Sequence, residues 1–136
     1  MVATSFDGAP KRWEVFFHDE FDAEFDRLES GVQDALIAAA GAIELLGPKA
    51  GRPHVDTLHG SQFANMKELR FTAKQGREVW RAAFAFDPDR CACILVAGAK
   101  QGRNQQMFYG QLVRVADRRF ASHLAGVASR DNGFAR

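Results

Sequence analysis

Apolar residues recur in two rhythms along this chain. Three short runs, at residues 66–71, 79–86 and 91–100, combine β-branched, aromatic and small apolar residues and are bounded by turn-forming Gly, Pro, Asp and Lys. They predict three strands. The links at 73–77 and 87–90 are short enough for hairpins, so the three should form an antiparallel meander. A further run, Trp13-Glu14-Val15-Phe16-Phe17-His18, predicts a strand at the start of the chain. Between it and the meander the rhythm changes. Phe21, Phe25, Leu28, Val32, Leu36, Ala39, Ile43 and Leu46 return at steps of three or four, which is one face of a helix. Ser30-Gly31 interrupts that face and predicts two helices, 20–29 and 31–46, folded as a hairpin. Asp19 or Asp22 is placed to cap the first, and Gly47-Pro48 ends the second. Phe108, Leu112, Val115 or Ala116, Phe120 and Leu124 mark a last helix over 105–127, with Arg114 and Arg118 four apart on another side.

The expected fold class is α+β: an N-terminal strand, a helical hairpin, a three-stranded antiparallel meander and a C-terminal helix. One domain, residues 12–127, should lie between loose tails at 1–11 and 128–136. A chain of 136 residues buries roughly two thirds of its unfolded surface, enough for a substantial core. Residues 47–65, rich in Gly and Pro, read as a long loop that carries His54 and His59.

Charge adds direction to this outline. The net charge is only +1, but the signs are segregated. From Asp19 to Glu44 acids dominate and Arg27 is the single cation; from Lys100 to Arg119 cations dominate and Asp117 is the single acid. Such a domain can steer a polyanion toward one side, unless the charges are simply solvated helix faces. Cys91 and Cys93 sit two apart on a strand, where a disulfide would be strained, and they read as core residues in a reducing cytoplasm. No secretion signal or membrane span is evident, so a cytoplasmic protein with no membrane partner is expected.

Each meander strand carries an isolated cation in apolar surroundings, and an unpaired buried cation is costly. Strand alternation puts Glu68 and Arg70 on one face of the first strand. On the second strand, Arg81 shares a face with small residues, opposite Trp80, Phe84 and Phe86. Lys100 closes the third. Glu68, Arg70 and Arg81 could form an ion-pair network; otherwise the cations line an anion-binding surface. No metal-ligand spacing, Walker loop, dinucleotide fingerprint or nucleophile elbow occurs, and neither metal nor cofactor is expected. A cationic surface of this kind suits RNA cleavage in which the substrate's 2′-hydroxyl attacks the adjacent phosphate. That reaction needs a proton acceptor, cations for the developing charge and an acid for the leaving oxygen. Tyr109, the single tyrosine, is the leading acid–base candidate; His54 and His59 are weaker ones.

The order of elements resembles the RelE/ParE toxin superfamily. Within it, Glu68-Leu69-Arg70, Trp80-Arg81-Ala82-Ala83-Phe84, the strand ending in Lys100 with Gln105-Gln106 after it, and Leu58-His59-Gly60 ahead of the meander are similar to the HigB-type, phage-related branch. The resemblance covers residues 12–125. It implies a toxin of a type II toxin–antitoxin system: a ribosome-dependent endoribonuclease that cuts messenger RNA, inhibits translation and is neutralised by a HigA-like helix-turn-helix antitoxin. By position it implies catalytic roles for Arg70, Arg81, Lys100 and Tyr109, with Arg81 holding the scissile phosphate. RNA contacts are expected from Lys67, Arg103, Arg114 and Arg118. The chain departs from the best-known RelE enzymes in having Glu68 in place of a lysine and Gln101 in place of an arginine, and in a slightly longer spacing from Lys100 to Tyr109. The same fold serves ParE-like inhibitors of DNA gyrase, which cleave nothing, and could serve a silent antitoxin-binding domain.

Overall fold

The meander runs are apolar on both faces because helices cover both faces of the sheet. A computed structural model describes residues 12–100, 102 and 104–134; the expected tail at 1–11 lies outside them. The elements are β1 (Glu14–Phe17), α1 (Asp19–Asp26), α2 (Ser30–Leu46), a 3-10 turn (Gly47–Lys49), β2 (Val55–Thr57), β3 (Lys67–Ala73), β4 (Glu78–Phe86), β5 (Cys91–Ala99) and α3 (Gln105–Phe134). The α+β class holds. The sheet order is β1-β5-β4-β3-β2. β1 runs parallel to β5, and every other pairing is antiparallel.

Four details differ from the sequence expectations. The loop at 47–65 contains β2, which pairs with β3 and extends the meander to four antiparallel strands. The two N-terminal helices, expected over 20–29 and 31–46, run over Asp19–Asp26 and Ser30–Leu46, so the first is shorter than expected. Neither Asp19 nor Asp22 caps α1: His18 does, its Nδ1 accepting the Glu20 N–H at 3.1 Å. Finally, α3 continues past Val127, so residues 128–134, expected as part of a loose tail, are helical. The remainder of the loop is also pinned: Asp117 of α3 accepts from Ser61 Oγ at 2.5 Å and from the Gln62 N–H at 2.9 Å.

Two cores result. On one face, α1 and α2 bring Phe21, Val32, Leu36 and Ile43 against Leu69, Phe71, Trp80, Ala82, Phe84 and Ile94. On the other, α3 lays Phe108, Leu112, Ala116 and Phe120 over Ala83, Ala85, Cys93 and Leu95. Cys93 belongs to the second core, and burial pushes its thiol up to about 12. Leu46, which the periodicity assigns to the buried stripe, is exposed where α2 ends. Among the described residues no helix is long and apolar enough to cross a membrane.

β5 is bulged. Ala83 pairs with Val96 and Phe84 with Ile94, which leaves Leu95 as the extra residue. Its carbonyl accepts from Arg119 Nη1 at 2.8 Å, so the disrupted ladder keeps a partner. Arg119 also grips Glu24 of α1, with Nη1–Oε1 at 2.9 Å and Nη2–Oε2 at 2.5 Å. Arg118 pairs with Glu20 at 3.4 Å. The acidic N-terminal and basic C-terminal segments therefore neutralise each other in part across the fold. α1 and α3 meet beside β5, which is what brings these four charges together.

Gly47 ends α2 with φ +57° and lies directly under the indole of Trp13, where a Cβ would collide with the ring. Gly47→Ala is expected to cost about 2–3 kcal/mol, from left-handed strain plus displacement of Trp13. Chemical denaturation should read this as a lower midpoint at unchanged slope.

Candidate active site

Arg81 lies mid-strand on β4, opposite Arg70 on β3 and Gly98 on β5. Two guanidiniums facing each other across a ladder repel unless one is neutralised. Here Arg70 is the one neutralised. Its Nε donates to Glu68 Oε2 at 2.7 Å, and its Nη2 lies 3.6 Å from Asp56 Oδ2 on β2. Glu68 holds Arg70 strongly protonated, raising it above the ordinary arginine value. The ion-pair alternative therefore applies to Glu68 and Arg70, and Asp56 joins it from the segment expected to be loop.

Arg81 has different company. Its Nε donates to the Tyr109 hydroxyl at 3.1 Å and its Nη1 to the Trp80 carbonyl at 3.0 Å. Both partners are neutral, so the positive charge is held in place without being cancelled. Tyr109 comes from the first turns of α3, whose start is set by Asn104: the Asn104 side chain accepts the Met107 N–H at 3.1 Å. The half-buried phenol is raised above its ordinary value of 10 by burial; Arg81 opposes the shift and the neighbouring Glu68 carboxylate adds to it. Lys100 reaches the same ring, with Nζ 5.5 Å from its centroid. Thus Arg81, Tyr109 and Lys100 meet at one place, and Arg70 adjoins them through Glu68.

The bulge at Leu95 is what puts Lys100 there. Before it, Cys93 and Leu95 face α3 while Ala92 and Ile94 face α1 and α2; after it, Val96 faces α3 and Ala97 and Ala99 face the other helices. Uninterrupted alternation from Cys93 would send Lys100 to the face away from Arg81. Gly98 leaves space opposite Arg81, and the Phe108 ring uses it: a Cβ at Gly98 would come within 3.2 Å of Phe108 Cε1.

The expected RNA-contact residues are dispersed. Lys67 alternates onto the face of Leu69 and Phe71, away from Arg70. Arg118 turns to Glu20, and Arg114 is exposed on α3. Arg103 lies outside the described residues, as does Gln101. His59 is exposed on its loop. His54 is better placed, because its carbonyl accepts the Arg70 N–H at 2.7 Å and it therefore borders the site. Sequence reasoning named Glu68 only as a possible ion-pair partner and did not name Asp56. The signal for Glu68 was an acid at an apolar strand position; for Asp56 there was none, because β2 was unrecognised.

A family model described as phage-derived protein Gp49-like (DUF891) matches residues 23–121. The chain is 43% identical over 107 residues to the Mycobacterium tuberculosis (strain ATCC 25618 / H37Rv) protein named "Putative toxin HigB2"; the match covers 79% of this chain and 52% of that protein. It is 44% identical over 96 residues to "Putative toxin HigB3" of the same organism, with 68% of this chain and 80% of that protein covered. The chain thus spans about half the length of the HigB2 relative. No solved structure matches it. The matched stretch runs from α1 into α3 and contains Arg70, Arg81, Lys100 and Tyr109, and the chain belongs to the phage-derived Gp49-like family.

Proposed function

We propose that this chain is the toxin of a type II toxin–antitoxin module, with a RelE/ParE-like fold, and that it cleaves messenger RNA on the ribosome. The similarity to proteins named as HigB toxins supports the first part. The observation that carries the second is the convergence of Arg81, Lys100 and Tyr109 from β4, the end of β5 and α3.

In this reading Arg81 and Lys100 hold the scissile phosphate and stabilise the charge that grows on its oxygens as the 2′-hydroxyl attacks. The 2′-hydroxyl gives its proton to solvent water as it attacks, and the bond to the 5′-oxygen breaks, leaving a 2′,3′-cyclic phosphate and a 5′-hydroxyl. Tyr109, kept protonated by its raised pKa, supplies the proton that the leaving oxygen needs. Glu68 positions Arg70 and the phenol. An antitoxin, HigA-like and carrying a helix-turn-helix, is the partner this reading requires.

Tyr109→Phe keeps the ring under Lys100 and removes only the hydroxyl. It is expected to lower cleavage of ribosome-bound message by about 10²-fold with little change in melting temperature. One observation favours a toxin that does not cleave: Arg70 is already neutralised by Glu68 and Asp56. Ribosome profiling after brief induction separates the two. Cuts at fixed codon positions support the nuclease, whereas intact messages with a DNA-damage response support a gyrase target.

A further inference from the structure

The outer edge of β5 is covered for only half its length. β1 pairs with Cys91 through Ile94, and the His18 N–H closes that ladder on the Ile94 carbonyl at 2.9 Å before α1 begins. Arg119 takes the Leu95 carbonyl. Beyond it, residues 96–99 are half-buried, whereas residues 92–95 are buried. The Lys100 N–H bonds to the Val79 carbonyl at 2.8 Å, which fixes the alternation of the antiparallel ladder. Gly98 therefore bonds to Arg81, and Ala97 and Ala99 turn their N–H and C=O groups to the open side. Among the described residues nothing bonds to those groups. A free edge is ordinarily protected by a charge or a proline, and Val96-Ala97-Gly98-Ala99 has neither.

A groove of about 110 Å³ runs beside this edge on the α3 side, walled by Val96, Gly98, Phe108, Leu112 and Val115 with Gln111 at its rim. It has room for one branched aliphatic side chain. Phe108 lies at Gly98 and Arg119 at Leu95, so α3 runs antiparallel to β5 and the exposed Arg114 stands between, level with Val96. Helical pitch puts Arg114 on the groove side of α3 with Gln111 and Arg118. α3 carries no acid before Asp117, and Ser61 and Gln62 occupy that one. The rim is therefore basic. α1 and α3 flank the edge on the two faces of the sheet and join beyond Leu95 through Arg118, Arg119, Glu20 and Glu24. A single extended chain fits so recessed an edge; the sheet of a second copy, flanked by its own helices, does not.

We infer that this edge receives an extended, acidic segment of the antitoxin as an added strand antiparallel to β5, the identity of that partner resting on the toxin–antitoxin reading above. The backbone of the segment exchanges hydrogen bonds with Ala97 and Ala99. Its residue opposite Gly98 lays an apolar side chain in the groove. The residue two further on, opposite Val96, presents a carboxylate to Arg114.

Nitrogen-15 correlation spectra of the whole chain, titrated with the capped peptide acetyl-Thr-Val-Thr-Leu-Thr-Glu-Thr-amide, test it. The Ala97 and Ala99 amides should move downfield and become protected from solvent exchange at sub-millimolar peptide. Methylating the backbone nitrogens of the two threonines beside the leucine should weaken binding at least tenfold, with every side chain unchanged. Arg114→Glu should weaken it similarly at an unchanged melting temperature, and lysine in place of the peptide's glutamate should restore it. In the complex with the antitoxin the same two amides should be protected. The inference is overturned if the peptide shifts neither amide, if the methylated peptide binds as well, if both amides are already protected in the free chain, or if they exchange freely in the antitoxin complex. None of these readouts requires cleavage. A chain that passes them and cuts no message keeps this surface and loses the nuclease, and a nuclease that fails them loses only this surface.

Discussion

Arg81→Ala should reduce cleavage of ribosome-bound message by about 10²–10³-fold and relieve growth arrest to match, while the protein stays folded. The magnitude follows from removing a fixed cation aimed at charge that develops in the transition state. The fold should tolerate the change because Arg81 is half-buried and its partners are the Tyr109 hydroxyl and the Trp80 carbonyl, so no carboxylate is left stranded. Arg81→Lys keeps a charge but cannot reach both partners with the same fork, and it should recover only part of the activity. Primer extension on a translated reporter measures the cuts, and circular dichroism checks the fold. Full cleavage by Arg81→Ala would remove the proposed role of this site. Arg70→Ala makes the contrasting case: it leaves Glu68, only 4% exposed, without its cation, so it should cost stability as well as activity.

Glu24→Gln should destabilise the protein by about 2 kcal/mol, a fall in melting temperature of about 8 °C. Arg119 is 6% exposed and spans three elements: α3, which bears it, Glu24 on α1 and the bulge carbonyl of Leu95 on β5. Neutralising Glu24 leaves that guanidinium poorly compensated. The cost is set below that of a fully buried pair because Glu24 is itself 39% exposed and partly screened, and because Glu20 lies 3.6 Å from Arg119 Nε. The same pair makes a pH prediction. Hydrogen bonding to Arg119, the largest cause, lowers the Glu24 pKa below its ordinary 4.5 in the folded state. A folded value below the unfolded one contributes stability that is present above about pH 4.5 and is lost as pH falls through the depressed folded value. Wild type should therefore lose stability more steeply with acid than Glu24→Gln. Parallel curves for the two proteins would show that the pair contributes no pH-dependent stability.

The chemistry of the proposed site was legible one residue at a time. Arg81 among small neighbours on a strand, Lys100 at a strand end and the single tyrosine just beyond it each stood out, because a cation in an apolar run has few structural uses. Less legible was which cations would be spent on internal pairing. Arg119 looks no different from Arg81 in sequence, yet it is held by Glu24, distant in the chain; Arg70, whose pairing with Glu68 two residues away was one of the open readings, is also approached by Asp56 of the neighbouring strand. Asp56 belongs to a strand of three residues, too short to produce a periodicity. Its formation depends on the β3 edge already being in place.

What the chain determines by itself is therefore local. Period-two and period-three-to-four spacing of apolar residues sets the order of strands and helices, since alternation and helical pitch are properties of neighbouring backbone units. Tertiary structure alone decided the parallel docking of β1 on β5, the added β2, the cancellation of Glu20 and Glu24 by Arg118 and Arg119, and the bulge at Leu95. The bulge is the sharpest case. Strict alternation puts Lys100 on the wrong face of the sheet, and the extra residue returns it to Arg81 and Tyr109. It does so because ladder pairing across β4, together with a guanidinium waiting for the displaced carbonyl, compensates for the broken register, and neither contribution exists until distant segments meet.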